Sequence, residues 1–199
     1  LNANQFLKAV EQLQGWRECA FLLALAERGF PNYALFSDAV GMKGGGKMRF
    51  LLDQAWAMLQ EEPSESAIPT MLARLESLSP DVEQYDVYGV FPAFDCCRLL
   101  EQALLNRLNP GRHRATEASQ WATGTVMSFI EVSEAEGMSE DELVRLLDRH
   151  ELMKIDKAFQ RDVLLSIKRQ RTPTEQFVER LKDEAANAGV SNIGISLQD

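Results

Sequence analysis

Apolar residues recur at helical spacing along almost the whole of this chain. Phe6, Leu7, Val10 and Leu13 form the first stripe, and Gly15 closes it. From Trp16 the pattern changes: Cys19-Ala20-Phe21-Leu22-Leu23-Ala24-Leu25-Ala26 contains no polar side chain. A helix that is apolar on every face must be enclosed by other elements, so this segment, ending at Gly29, is predicted to be the central post of a helical domain. Pro31 then predicts a break and Asn32 a new N-cap, with Tyr33, Phe36 and Val40 as a short stripe that stops at Gly41. Gly44-Gly45-Gly46 reads as a flexible loop. Met48, Leu51, Leu52, Ala55, Trp56 and Leu59 mark another helix, and Met71, Leu72, Leu75 and Leu78 one more, entered at Pro69.

The aromatic stretch Tyr85 to Phe94 leads into a long helix near Pro92, with Phe94, Cys97, Leu100, Leu104 and Leu108 facing inward; Asn109-Pro110-Gly111 stops it. Ala115, Ala118, Trp121, Ala122, Thr125, Phe129 and Val132 give a second long helix, closed near Gly137. Capping boxes are predicted at Ser139 with Glu142 and at Thr172 with Glu175, the latter with Pro173 as first helical residue. Between them Leu143, Leu146 and Leu147, then Leu152, Ile155, Phe159, Val163 and Ile167, supply buried faces. The last helix ends at Gly189. Ile193, Ile195 and Leu197 alternate with Gly194, Ser196 and Gln198, a period of two that predicts a short extended tail. These signals describe an all-α, single-domain bundle of about eight to ten helices spanning 1–199, with short connections and no internal repeat.

Charge narrows the partners. The net charge is -9, a field that repels nucleic acid and anionic membranes alike. The longest wholly apolar run is far short of the roughly 20 residues of a membrane span, and the N-terminus lacks the order of a secretory signal. Two of the three cysteines, Cys96 and Cys97, are adjacent, so no disulfide framework is readable; free thiols fit a reducing cytoplasm.

Most candidate chemistry is incomplete. Gly41 to Met48 nearly spells a phosphate-binding loop, but Met48 occupies the position that needs a hydroxyl, and no strand precedes it. His113 and His150 sit in no metal-binding spacing, and there is no Cys-x-x-Cys pair, so no metal and no cofactor is expected. Cys97 lies on an apolar stripe, which raises a thiol pKa and argues for packing. Two carboxylates stand out because both point toward protein: Glu27 on the stripe of Ala20, Leu23 and Ala24, and Asp95 one turn from Phe91. A buried acid needs partners. Arg28, Asn32, Tyr33, Tyr88 and Arg98 are available to form a polar cluster with them, either structural or lining a ligand pocket. On a helical wheel Lys154, Lys157, Arg161 and Lys168 fall together, almost opposite Leu152, Ile155, Phe159 and Val163. This basic ridge reads either as a solvated face or as a contact for acidic surface on a second copy or another partner, since residues 60–101 hold nine acids against two bases.

Three blocks carry a family resemblance: Trp16 to Phe36 (WRECAFLLALAERGFPNYALF), Asp86 to Asp95 (DVYGVFPAFD) and the tail from Glu184 to Gln198. Together they resemble the YjaG-like family of bacterial proteins, a domain of unknown function. The resemblance spans nearly the whole chain and implies a small, mostly helical, soluble bacterial protein. It carries over no catalytic residue and no reaction. The leading functional expectation is therefore a cytoplasmic, non-enzymatic interaction protein whose partner is a second copy or another protein. The alternative is an enzyme or small-ligand binder with a pocket around Glu27 and Asp95.

Overall fold

The computed structural model describes residues 1–111 and 113–197. Nine α-helices form among them: α1 (Ala3–Glu11), α2 (Trp16–Ala39), α3 (Gly45–Ala57), α4 (Ala67–Leu78), α5 (Val90–Leu108), α6 (Ala115–Glu134), α7 (Glu140–Arg149), α8 (Glu151–Arg169) and α9 (Glu175–Ala186). Short 3-10 turns occupy Val82–Gln84 and Asn187–Gly189. Among the described residues no helix is long and apolar enough to cross a membrane.

The apolar run from Cys19 to Ala26 is buried throughout. It forms the middle of α2, which packs against α3, α5, α6, α8 and α9. Enclosure on all sides lets Phe21, Leu22 and Leu23 each contribute roughly 1.5–3 kcal/mol of burial. The closest partner of α2 is α5, and the seam is made of small groups. A Cβ placed on Gly29 would lie 3.5 Å from the Cβ of Cys96, and the Cys96 thiol points at the Ala26 carbonyl, 3.5 Å away.

The break predicted at Pro31 does not occur: α2 continues through it to Ala39, and Pro31 is buried. Proline in a helix interior removes one hydrogen bond and costs about 3 kcal/mol. Here it lies in the most enclosed helix of the fold, where packing on both sides of it outweighs that loss. Asn32 is thus a mid-helix residue and caps nothing. The predicted cap at Thr172 also moves: Thr174 is the N-cap of α9 and accepts from the Phe177 N–H at 3.4 Å. The capping box of Ser139 and Glu142 forms as predicted at α7. Glycines 45 and 46 begin α3 and are not a free loop. Leu108, expected to face inward, is 48% exposed in the last turn of α5.

A smaller apolar cluster surrounds Val126, Ile130, Met153 and Ile193 where α6, α7 and α8 meet the tail. The tail does not run straight. Gly194 adopts φ 78°, Val190 and Ser196 form one antiparallel bridge, and the turn between them inserts Ile193 against α6. Gln198, the last residue of the period-two pattern, lies outside the described residues.

Candidate functional site

The seven residues expected to form one polar cluster occupy several separate sets of contacts. Glu27, on α2, is 3% exposed. Its carboxylate accepts from both terminal nitrogens of Arg49 on α3, at 2.5 and 2.8 Å, and from the Trp56 indole N–H at 2.8 Å. Arg49 also pairs with Asp53 at 2.7 Å, and Lys182 of α9 reaches the same aspartate at 2.7 Å. Burial alone would pull the Arg49 guanidinium down, but Glu27 and Asp53 outweigh it and hold the group above its ordinary range. Asp53 is held below the usual carboxylate range, its partial burial overcome by Lys182 and Arg49. This network clamps α2, α3 and α9 together.

Arg28 makes a separate set of contacts. It donates to the carbonyls of Ala185, at 2.8 Å, and Glu184, at 3.1 Å, near the C-terminus of α9. Its guanidinium stacks over Phe159 at 3.8 Å. Burial pulls its pKa down to about 10, with nearby Asp156 opposing. Asn32 donates to the Asn192 side chain at 2.9 Å, and Asn192 in turn donates to the Ala122 carbonyl at 3.4 Å, tying the tail to α2 and α6. The Tyr33 hydroxyl donates to the Leu78 carbonyl at 2.9 Å, and burial raises its pKa.

Asp95, Arg98 and Tyr88 do approach one another, on α5 and the turn before it. Asp95 accepts from the Thr125 hydroxyl at 2.8 Å and more loosely from Arg98 at 3.5 Å. Burial raises the Asp95 pKa, and both partners oppose that rise. Arg98 lies 3.8 Å over the Trp121 ring. Tyr88 packs its ring against Phe91 and Phe129, and burial raises its pKa, opposed by Ser128 and reinforced by Asp95. Glu27 and Asp95 share no hydrogen-bond partner among the described residues.

The basic ridge lies elsewhere. Lys154, Lys157 and Arg161 stand at a groove of about 600 Å³ between α1, α6 and α8, whose apolar wall includes Phe6 and Leu7. All four ridge residues, Lys168 included, are exposed. Lys154 pairs with Glu151 at 3.5 Å and Arg161 with Asp162 at 3.3 Å, both at the surface.

The face that α8 buries is not the one the apolar residues predict. Ile155 is 45% exposed, Leu152 and Phe159 are half-buried, while Met153, Asp156, Gln160, Val163, Leu164 and Ile167 are buried. The buried face is turned by roughly a quarter of the circumference. The physical reason is a polar ladder with α6. The Ser119 hydroxyl donates to Gln160 at 2.6 Å, the Thr123 hydroxyl to Asp156 at 2.8 Å, and the Gln160 amide to Asp156 at 2.9 Å. Burial raises the Asp156 pKa, with Thr123, Gln160 and Arg28 opposing. These residues escape a hydrophobicity pattern, though polar pairs four residues apart on both helices are a legible hint.

Glu18 is a second buried acid that sequence reasoning missed. It is 1% exposed at the start of α2. One carboxylate oxygen accepts from the backbone N–H of Arg114 and, at 3.0 Å, from that of Ala115; the other accepts from the Asn106 side chain at 2.7 Å. It thereby satisfies the open first turn of α6 with a negative charge where the helix dipole favours one. The three cysteines are buried; desolvation pushes Cys19 and Cys97 up to about 12 and Cys96 well above its ordinary value, the reverse of an activated thiol. Among the described residues no three His, Cys, Asp or Glu side chains are grouped so as to hold a metal ion.

Residues 5–196 match a family described as "Protein of unknown function (DUF416)". The chain is 28% identical over 191 residues to "Uncharacterized protein YjaG" of Escherichia coli (strain K12), covering 95% of each. It is 29% identical over 195 residues to an uncharacterized protein of Haemophilus influenzae, covering 96% of this chain and 97% of that one. A crystal structure of a DUF416 family protein from Shewanella baltica OS155 superposes with a TM-score of 0.87 at 28% identity, covering 96% of this chain and 98% of that one.

Proposed function

The chain belongs to the DUF416 family of proteins of unknown function, and from that premise we propose that it works by association, chiefly with copies of itself, and not by catalysis. One observation carries this reading: Lys154, Lys157 and Arg161 crowd one exposed groove on a chain whose net charge is -9. Concentrated positive charge on an acidic protein is an electrostatic address for its own acidic surface. The buried ionisable groups support it from the other direction. Glu18, Glu27, Arg28 and Asp156 each have protein partners, so these groups are already engaged in holding helices together. The three buried free thiols support the reducing cytoplasm as its compartment.

Multi-angle light scattering at low and high salt tests the proposal. At an ionic strength of about 0.01 M, where the screening length is near 30 Å, the chain is expected at twice its single-chain mass or more. At about 1 M, where that length falls to about 3 Å, it is expected to move toward the monomer. A strict monomer at low salt and high concentration refutes self-association.

A further inference from the structure

On the other side of the bundle, α4 and α5 enclose a groove of about 640 Å³. Leu75 is buried beneath it, Leu72, Phe94 and Leu105 form half-buried walls, and Leu108 stands exposed at its mouth. Glu76 rises from α4 and Glu101 from α5, both exposed and neither in an ion pair among the described residues. Arg98, the one cation lining the groove among those residues, is occupied by Asp95 and the Trp121 ring. The segments flanking α4 carry Glu61, Glu62 and Glu65 on one side, with Glu62 ion-paired to Arg107 at 2.9 Å, and Asp81, Glu83 and Asp86 on the other.

The outward face of α8 is the complement of this surface in charge. Lys154, Lys157 and Arg161 follow helical spacing along one exposed strip of it. The aliphatic stems of lysine and arginine can cover apolar surface while their charged heads reach acidic walls. Within one copy α4 packs on α3 and α5, whereas α8 packs on α1, α2, α6 and α7. The two surfaces therefore belong to different sides of the molecule and meet only between copies. We infer that the α4–α5 groove receives the basic face of α8 from a second copy, a head-to-tail contact that leaves one groove and one ridge open to further copies. This rests on the proposed self-association and names the surfaces that carry it.

Charge reversal tests it. Lys157→Glu/Arg161→Glu reverses the ridge, and Glu76→Lys/Glu101→Lys reverses the groove; all four side chains are exposed, and circular dichroism checks that each variant folds. Alone, each variant sets like charges together and is expected to self-associate at least tenfold more weakly than the wild type by sedimentation equilibrium. Mixed in equal amounts, the two variants restore opposite charges at each contact between unlike copies and are expected to associate within about threefold of the wild type. A neutral Lys157→Gln/Arg161→Gln variant is expected to weaken association with a shallower salt dependence. Variants that associate as the wild type does, or a mixture that fails to recover, overturn the α8–groove contact while leaving self-association through another surface intact. A wild type that stays monomeric at low salt overturns both.

Discussion

Glu27→Ala cuts three hydrogen bonds at the centre of the bundle, and its cost separates a structural acid from one kept for a ligand. The Trp56 N–H, buried with its ring, loses its acceptor; an unsatisfied buried donor costs about 1–3 kcal/mol. Arg49 loses its bidentate partner but keeps Asp53 and is 29% exposed. Its share therefore sits at or below the low end of the roughly 3–5 kcal/mol seen when a buried pair is broken. Because the two effects overlap at one carboxylate, the expected total is about 3–4 kcal/mol. For a domain of this size that lowers the melting temperature by about 10 °C. Glu27→Gln keeps an acceptor for Trp56 and loses the charge, and is expected to cost about half as much. Urea unfolding followed by far-ultraviolet circular dichroism at neutral pH gives the free energy, provided the denaturant slope is unchanged. In combination with Arg49→Met the loss is expected to fall short of the sum of the single losses by about 1–3 kcal/mol. An acid held in a costly environment for function behaves in the opposite way, because its removal stabilises the fold. If Glu27→Ala changes stability by less than about 1 kcal/mol, or raises it, the clamp between α2, α3 and α9 is misassigned.

Gly44 and Gly46 make a matched pair. A Cβ at Gly44 would lie 2.5 Å from the Tyr33 hydroxyl and 3.1 Å from that of Ser37, both buried, so Gly44→Ala is expected to cost about 1–3 kcal/mol in the same unfolding assay. A Cβ at Gly46, inside α3, meets nothing within 4 Å, so Gly46→Ala is expected to stabilise by about 0.5–1 kcal/mol. Asp156 supplies a pH test. Its folded-state pKa is raised by burial, so its contribution is most favourable below the unfolded pKa and is lost as pH rises through the folded one. Asp156→Asn is therefore expected to gain on the wild type at neutral pH and to lose that advantage as the pH falls into the carboxylate range; an advantage that is flat or grows on acidification contradicts the assignment.

How much of this molecule is legible in its sequence depends on whether polarity and burial agree at each position. They agree in the middle of α2, where eight consecutive apolar residues can only be enclosed, and the helix is indeed the centre of the fold. They agree at Ser139, where a side chain three residues from Glu142 completes its own cap. Pro31 is different: a local rule says stop, and the surrounding packing overrides it. α8 shows the deeper reason for misreading. Its apolar residues point to one face, yet Asp156 and Gln160 are buried and Ile155 is not. The helix is rotated to satisfy Ser119 and Thr123, which lie more than thirty residues away in the chain and leave no mark in the apolar pattern.

The candidate cluster fails to be legible for the same reason. Glu27 and Asp95 are each recognisable as acids on apolar surfaces, but nothing local reveals that Arg49 and Trp56 serve the first and Thr125 the second. Sequence position identifies which side chains need a partner; only the fold decides who supplies it. The ridge escapes this limit because charge on an exposed face is set by the helix itself. Lys154, Lys157 and Arg161 remain together even after α8 is turned. That rotation moves them from the back of the helix to the edge of a groove.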